Sequence, residues 1–252
     1  MAGAYYNEID PYCAEWLRRL MAEGWIAPGE VDERSITDVR PDDLKGFSQC
    51  HFFAGLGGWS YAMRLAGWAD EEEVWTGSCP CQPLSWSGLG QGASDERHLW
   101  PAFRGLISEC WPSTIFGEQV ASRLGLEWAA AVRLDLEEGG YAFGAGIVPG
   151  FSVSAPHRRD RTFWVASNAN GDKQPRREPR CRPDRRVGRQ QQLFPWDAGW
   201  PEALARFRVV DDGIPRCVAA TDAARNAIIP QVAARFIQAA DEAVTISQQP
   251  IT

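Results

Sequence analysis

Short apolar runs that end in glycine or in reactive side chains, with helical stretches between them, restrict this chain more than any other feature. Gln49 to Ala54 runs into Gly55, Gly57 and Gly58, and a helix is expected over Trp59 to Leu65. Val74 to Ser78 leads into Cys79-Pro80-Cys81-Gln82-Pro83, and Ser113 to Phe116 into Gly117-Glu118-Gln119-Val120. Runs of this length suit strands. Strands alternating with helices build an α/β sheet with helices on both faces, which gathers its chemistry at the carboxyl ends of the strands.

The remaining chain fits the same scheme. Ala4 to Ile9 reads as a strand, and Pro11 opens a helix with Trp16, Leu17, Leu20 and Met21 on its apolar face, closing near Gly24. A second strand is expected over Val31 to Val39 and a helix start at Pro41-Asp42-Asp43-Leu44. Helices follow over Trp100 to Cys110 and Ser122 to Glu138, strands over Tyr141 to Val148 and Thr162 to Ala166, and a closing helix over Pro230 to Ala243. Ser85 to Arg97 has no hydrophobic period and reads as a mobile loop; Ser167 to Arg216 reads as irregular. No internal repeat is visible.

Composition narrows the class. The 252 residues are 44% hydrophobic and 23% charged, the proportions of a soluble globular protein of one substantial domain, with or without a small appendage. No run reaches the roughly 18 apolar residues of a membrane helix, and no secretory leader is recognisable. Seven scattered cysteines suggest free thiols in a reducing, cytoplasmic setting. The net charge of −7 conceals a polarity: residues 1–150 carry 10 basic against 22 acidic side chains, and residues 151–252 carry 16 against 11. Lys173, Arg176, Arg177, Arg180, Arg182, Arg185, Arg186 and Arg189 face only two acids within one short stretch. That stretch is either a solvated loop or a phosphate-contacting arm; its one-sidedness favours the arm.

Each chemical candidate has a plain reading beside a sharper one. A strand turning through glycines into a helix is either a tight turn or a backbone cradle for a ligand. Cys81, between stiff neighbours just past a strand, is either a structural thiol or a nucleophile. Glu118 is either a solvated strand end or a site acid. Period two puts His157, Arg159 and Arg161 on one face of an extended segment, where two arginines call for a carboxylate or a phosphate. Cys79 and Cys81 lack the partners of a metal site, so no metal is expected.

Taken in order, these segments resemble the motifs of the cytosine-C5 DNA methyltransferases. Phe53-Ala54-Gly55-Leu56-Gly57-Gly58 resembles the motif that binds S-adenosylmethionine, and Pro80-Cys81-Gln82-Pro83 the catalytic Pro-Cys loop. Glu118-Gln119-Val120 resembles Glu-Asn-Val, His157-Arg158-Arg159-Asp160-Arg161 resembles Gln-x-Arg-x-Arg, and Arg225-Asn226-Ala227-Ile228-Ile229-Pro230 resembles Gly-Asn-x-Val-x-Pro. The compact form resembles small stand-alone enzymes of phages and prophages. Gln119, His157 and Arg225 depart from the family pattern, and the ninth motif has no clear counterpart.

The resemblance implies a doubly wound, Rossmann-like sheet. Residues 1–166 would form the catalytic core, 167–216 a short DNA-recognition segment, and 217–252 a closing segment that returns to the core. It implies Cys81, Glu118, Arg159 and Arg161 as catalytic residues. Phe53, Ala54, Gly55, Gly57, Gly58, Glu8, Ile9, Ile36, Pro80 and Asn226 would bind S-adenosylmethionine. Gln82, Ser85, Ser87 and the seven arginines from Arg176 to Arg189 would contact double-stranded DNA, whose target cytosine must leave the stack. Asn7-Glu8-Ile9 resembles the second motif and Ser35-Ile36 stands at the third, yet both precede Phe53. An internal permutation is therefore expected, with Ala4–Ile9 paired beside Gln49–Ala54. An RNA cytosine methyltransferase and a catalytically silent DNA-binding decoy are the alternatives. The target sequence, any partner nuclease and the oligomeric state are not readable.

Overall fold

The computed structural model describes residues 3–80, 99–153, 159–168 and 227–247. Seven strands form one sheet: β1 (Ala4–Asn7), β2 (Gly29–Asp32), β3 (Gln49–Phe52), β4 (Val74–Gly77), β5 (Thr114–Val120), β6 (Tyr141–Val148) and β7 (Arg161–Asn168). Their spatial order is β2-β1-β3-β4-β5-β7-β6, with β7 antiparallel to both neighbours and the other pairs parallel. β1, β3 and β4 are buried throughout, as central parallel strands covered on both faces must be.

Register decides which side chains share a face. Tyr6, His51, Thr76 and Phe116 line up on one face, and Tyr5, Cys50, Trp75 and Ile115 on the other. The first face is covered by α1 (Pro11–Ala22), α2 (Gly58–Ala66) and α5 (Pro230–Ser247), which bring Leu17, Trp59, Met63, Val232 and Ile237 into the core. The second is covered by α3 (Trp100–Cys110) and α4 (Arg123–Glu138), with Phe103, Ile107, Val132 and Leu136. Local chemistry sets the helix starts. Asp10 caps α1 by accepting from the Cys13 N–H at 2.9 Å, and Ser122 caps α4 through the Gly125 N–H at 3.1 Å.

The chain visits the sheet in an unusual order. A doubly wound sheet places its first five strands in the order 3-2-1-4-5. Here β3 holds the first place, β1 the second and β2 the third, and β1 pairs with β3 from Ala4 against Gln49 to Asn7 against Phe52. The helices carry the same message. The steps β1-α1-β2 and β3-α2-β4 cross one face in opposite directions, so they are of opposite hand. The step β4-α3-β5 crosses the other face and shares the hand of the first. Because such crossovers are almost always right-handed, β3-α2-β4 is the left-handed exception. Helix α2 lies where a right-handed step from β3 to β1 would put it: its Ser60 hydroxyl stands 2.9 Å from the Tyr6 hydroxyl on β1.

Three local expectations change. The strand expected over Val31 to Val39 ends at Asp32, and Ile36–Asp38 forms a 3₁₀ turn instead. The reason is the ion cluster of Arg34 with Asp32 (2.6 Å) and Asp43 (3.0 Å), which curls the link over buried Ile36, Val39 and Leu44. Pro41–Leu44 is a single 3₁₀ turn rather than a helix start. Strand β5 runs on to Val120, because β7 pairs with it along seven residues, so Glu118 lies within the strand and not beyond it. Ser167 and Asn168 complete β7; the rest of the expected recognition segment lies outside the described residues.

The C-terminal segment docks on α2 through Gly58, where a Cβ would stand 2.7 Å from Ile228 Cγ1. Gly58→Ala is expected to lower stability by about 1–3 kcal/mol, the range for overpacking. In thermal unfolding the double variant Gly58→Ala/Ile228→Ala should be no less stable than Ile228→Ala alone, since the clash is then gone.

Candidate active site

At their carboxyl ends β1 and β3 lead into α1 and α2 on one face of the sheet, and the connections change face between β3 and β4, since α3 after β4 lies on the other; doubly wound sheets bind ligands beside such a switch. β3 leads into a turn of positive φ at Phe53 (52°), Gly55 (53°) and Gly57 (75°). At Gly57 a Cβ would also crowd Leu17 Cδ2, 3.1 Å away. Beside Gly55 the space is open, with the nearest atom, the Phe53 carbonyl oxygen, 4.0 Å from a Cβ position. Phe53 packs edge-on against Phe103. Glu8, one residue past β1, accepts from the Gly55 N–H at 2.7 Å and from the Asp10 N–H at 2.9 Å. Burial raises its carboxyl above the usual range, against those two hydrogen bonds. Ile9 next to it is 66% exposed, an apolar surface beside the acid.

The neighbouring edge, at β2, is held by charge. Burial works against ionisation of Asp32, but the Arg34 guanidinium and the Tyr5 hydroxyl (2.6 Å) outweigh it and hold the carboxyl at about 2. Asn7 donates to the carbonyls of Asp32 (3.3 Å) and Arg34 (2.8 Å), which locks the link to β1. Ile36 is buried beneath this link.

The second half of the site stands at β4, β5 and β7. Glu118 on β5 is 6% exposed, and Arg161 at the start of β7 places its Nε 2.6 Å from Glu118 Oε1. The N–H does not point along that contact, so it is an ion pair more than an aligned hydrogen bond. Burial pushes the Glu118 carboxyl up to about 7, against the pull of Arg161, of Arg159 and of the Ser78 hydroxyl. Arg159 is half-buried and has φ of 36°; its Nη2 donates to the Ala227 carbonyl at 2.6 Å. That conformation corrects the period-two expectation: Arg161 lies in the strand, whereas Arg159 precedes it in a left-handed bend. Arg159 thereby joins the acid to the segment leading into α5.

Two further residues matter here that sequence reasoning misses. Ser78 directly follows β4 and accepts from the Trp59 indole N–H at 3.0 Å. Gln119, on the opposite face of β5 from Glu118, donates to the Cys79 carbonyl at 3.3 Å and so holds the stem of the Pro-Cys segment. The departure from Glu-Asn-Val was the available signal for Gln119; nothing in the sequence marked Ser78. Pro80 is exposed at the mouth of β4. Cys81, Gln82, Ser85, Ser87, His157, Asn226 and the arginines Arg176, Arg177, Arg180, Arg182, Arg185, Arg186 and Arg189 lie outside the described residues. Among the described residues no cluster of three metal-ligating side chains occurs.

A family model, C-5 cytosine-specific DNA methylase, matches residues 68–195, half of the chain. The chain belongs to this family. Its methyl donor is therefore S-adenosylmethionine. No curated protein matches the chain. Solved structures similar to this chain include a mutant of Spodoptera frugiperda DNMT2 (17% identity, TM-score 0.45, 69% of this chain against 45% of that one). The Dnmt2 methyltransferase of S. pombe follows, at 16% identity and TM-score 0.44, covering 64% of this chain and 42% of that one. A third is a candidate DNA modification methyltransferase encoded in an E. coli prophage, at 17% and 0.43, with 66% and 40% covered. The chain spans less than half the length of these structures.

The Glu118 environment sets a pH dependence. A carboxyl whose folded value is raised from 4.5 to about 7 binds its proton more tightly when folded, so stability falls as pH rises through that window. The total is on the order of 3 kcal/mol. Thermal unfolding of Glu118→Gln against the parent should show the variant gaining relative stability between pH 4.5 and 8; a variant that loses relative stability over that window would reverse the assignment.

Proposed function

We propose that this methylase transfers a methyl group to C5 of a cytosine flipped out of double-stranded DNA, with Cys81 as nucleophile. The observation that carries the reading is Glu118: a buried acid raised close to neutrality, paired with Arg161, beside the strand that runs through Pro80 into Cys81.

Cytosine C5 is a weak nucleophile, and the residues answer that difficulty. The Cys81 thiolate adds to C6, and the ring electrons move toward N3 and C5. Glu118 in its acid form donates its proton to N3, and Arg161 meets the base carbonyl, so the charge that develops is neutralised where it forms. C5 then has enamine character and takes a methyl group. Loss of the C5 proton to a base, expulsion of the Cys81 thiolate and return of the N3 proton to Glu118 restore the aromatic ring and the acid.

The residues at the carboxyl ends of β1 and β3 suit S-adenosylmethionine, which supplies the methyl group as an electrophile on its sulfonium. The Glu8 carboxylate is an acceptor suited to the ribose hydroxyls. Ile9 would offer apolar surface to the adenine side; Ile36, assigned with it from the resemblance, is buried beneath the Arg34 link and could reach the donor only by a local shift. Phe53, Ala54, Gly55, Gly57, Gly58 and Pro80 would form the turn and rim. Asn226, which precedes Ala227 in the sequence, is assigned the methionine end from the resemblance. Gln82, Ser85 and Ser87 would close over the target base, and the arginines from Arg176 to Arg189 would neutralise phosphates.

Transfer of labelled methyl groups to duplex DNA and to tRNA tests the reading. Duplex DNA should be labelled and Cys81→Ser should abolish transfer while retaining donor binding. Label on tRNA alone would make the substrate RNA, and an active Cys81→Ser would remove the covalent step. Replacing Arg180, Arg182 and Arg185 with Gln should flatten the salt dependence of DNA binding by about 0.9 in slope for each phosphate that is no longer neutralised; an unchanged slope returns the arm to a solvated loop.

A further inference from the structure

The ladder between β4 and β5 stops after Gly77 opposite Gly117, although β5 runs on to Val120. Continued in the same register, it would set Cys79 beside Gln119. There a side chain replaces the main-chain bonds: the Gln119 Nε2–H donates to the Cys79 carbonyl at 3.3 Å. The other end of the amide is also held, since Gln119 Oε1 accepts from the Val120 N–H at 2.9 Å. A backbone N–H can only donate and a carbonyl can only accept, so these two bonds fix which way round the amide lies. Gln119 is 2% exposed, and the first turn of α4 closes on it: a Cβ at Gly125 would run into the Val120 carbonyl oxygen and stand 3.3 Å from Gln119 Cγ.

What is held matters because proline follows. Pro80 has no N–H, so the Cys79 carbonyl is the only hydrogen-bonding group of the peptide that joins them. That peptide is planar, and the proline ring fixes the next torsion, φ. One soft backbone torsion, ψ of Pro80, then separates the held carbonyl from the Cα of Cys81. We propose that Gln119 is a positioning residue for Cys81: it stands in for the missing β4–β5 ladder, fixes the plane of the peptide before Pro80, and so sets the direction in which the chain presents its nucleophile. The proposal rests on the reading of Cys81 as that nucleophile. It also gives the departure from Glu-Asn-Val a physical reason. At 3.3 Å the bond has no slack, and an asparagine, one methylene shorter, would leave the Cys79 carbonyl beyond hydrogen-bond reach.

Two variants separate the donor from the packing. Gln119→Met keeps the length of the side chain and its contact with Gly125 but has no N–H to donate; Gln119→Asn keeps the amide but not the reach. Both should slow methyl transfer at saturating donor and DNA, on the order of a hundredfold, the scale of a reacting group displaced by about 1 Å. Affinity for S-adenosylmethionine, assigned to the ends of β1 and β3, should be unchanged. A general loosening of the fold would weaken donor binding along with the rate.

Cys79-Pro80 is the only Cys-Pro step in the sequence, so cysteine labelled with carbon-13 at its carbonyl, together with nitrogen-15 proline, isolates the Cys79 carbonyl by NMR without turnover. Duplex DNA containing 5-fluorocytosine reports the nucleophile: once C5 is methylated, the fluorine cannot leave as the proton does, and Cys81 stays bonded to C6. If the carbonyl resonance moves upfield in both variants, and trapping and turnover slow while donor affinity holds, Gln119 and the Cys81 reading stand together. If the resonance moves but the parent methylates ordinary duplex DNA and traps none of the fluorinated duplex, the positioning role falls with the Cys81 reading, because the held carbonyl then serves no nucleophile. A resonance unmoved in the folded variants, or full-rate transfer by a variant whose resonance has moved, overturns the role of Gln119 and leaves Cys81 in place.

Discussion

The four-residue pairing of β1 with β3 holds the molecule's chemistry in place. It aligns Asn7 with Phe52, so that Glu8 and the glycine turn emerge side by side and the Gly55 N–H meets a carboxylate at 2.7 Å. A slip of one residue would exchange the two faces of β1, taking Tyr6 away from His51 and Ser60 and exposing half the strand to the wrong helices. The register is therefore strongly specified by burial on both faces. It also explains the dense polar contacts on the covered side: the Tyr6 hydroxyl donates to the Ala27 carbonyl at 2.6 Å, and His51 bridges Thr76 and Gln49 at 2.8 and 3.1 Å. Burial drives His51 to about 3, so it stays neutral and acts as a structural connector within the sheet.

At the other end of the site the governing fact is the cost of burying charge. A carboxyl beside two guanidiniums in a wet cleft would be held well below its usual range; here burial outweighs both arginines. The competition leaves an acid that can change state near neutrality, the condition under which a proton donor is most useful. The same competition presses on Arg159, whose burial and proximity to Arg161 lower its affinity for a proton against the attraction of Glu118. Its bond to the Ala227 carbonyl then does structural service, since it closes β7 against the segment that leads into α5.

Most of the elements were legible because their periodicities are strong: Trp100–Cys110 and Tyr141–Val148 are formed as expected, and the β1–β3 neighbourhood followed from an acid standing ahead of the glycine motif. What escaped depended on partners distant in sequence. The end of β2 is set by Arg34 reaching Asp43, nine residues on. The length of β5 is set by β7. The left-handed bend at Arg159 has no glycine or asparagine to announce it, and is fixed by the hold of its side chain on the Ala227 carbonyl.

A site assembled from strand ends is indifferent to the order in which the chain visits the strands. Glu8, Gly55, Ser78 and Glu118 project from the carboxyl edges of β1, β3, β4 and β5, which are consecutive in space whatever their sequence. Moving two strands ahead of the glycine turn changes the connections, which lie at the opposite edge and on the helical faces. The change is registered there, in the short Arg34-pinned link from β2 to β3 and in the left-handed step over α2. Helix α2 absorbs that step because it is fixed at both ends by contacts that do not depend on chain order. Trp59 reaches Ser78 at its start, and at its end Arg64 pairs with Asp70 at 2.6 Å and donates to the Gly24 carbonyl at 2.6 Å. The chemistry can thus survive the rearrangement because the parallel sheet, and not the chain, specifies which functional groups meet.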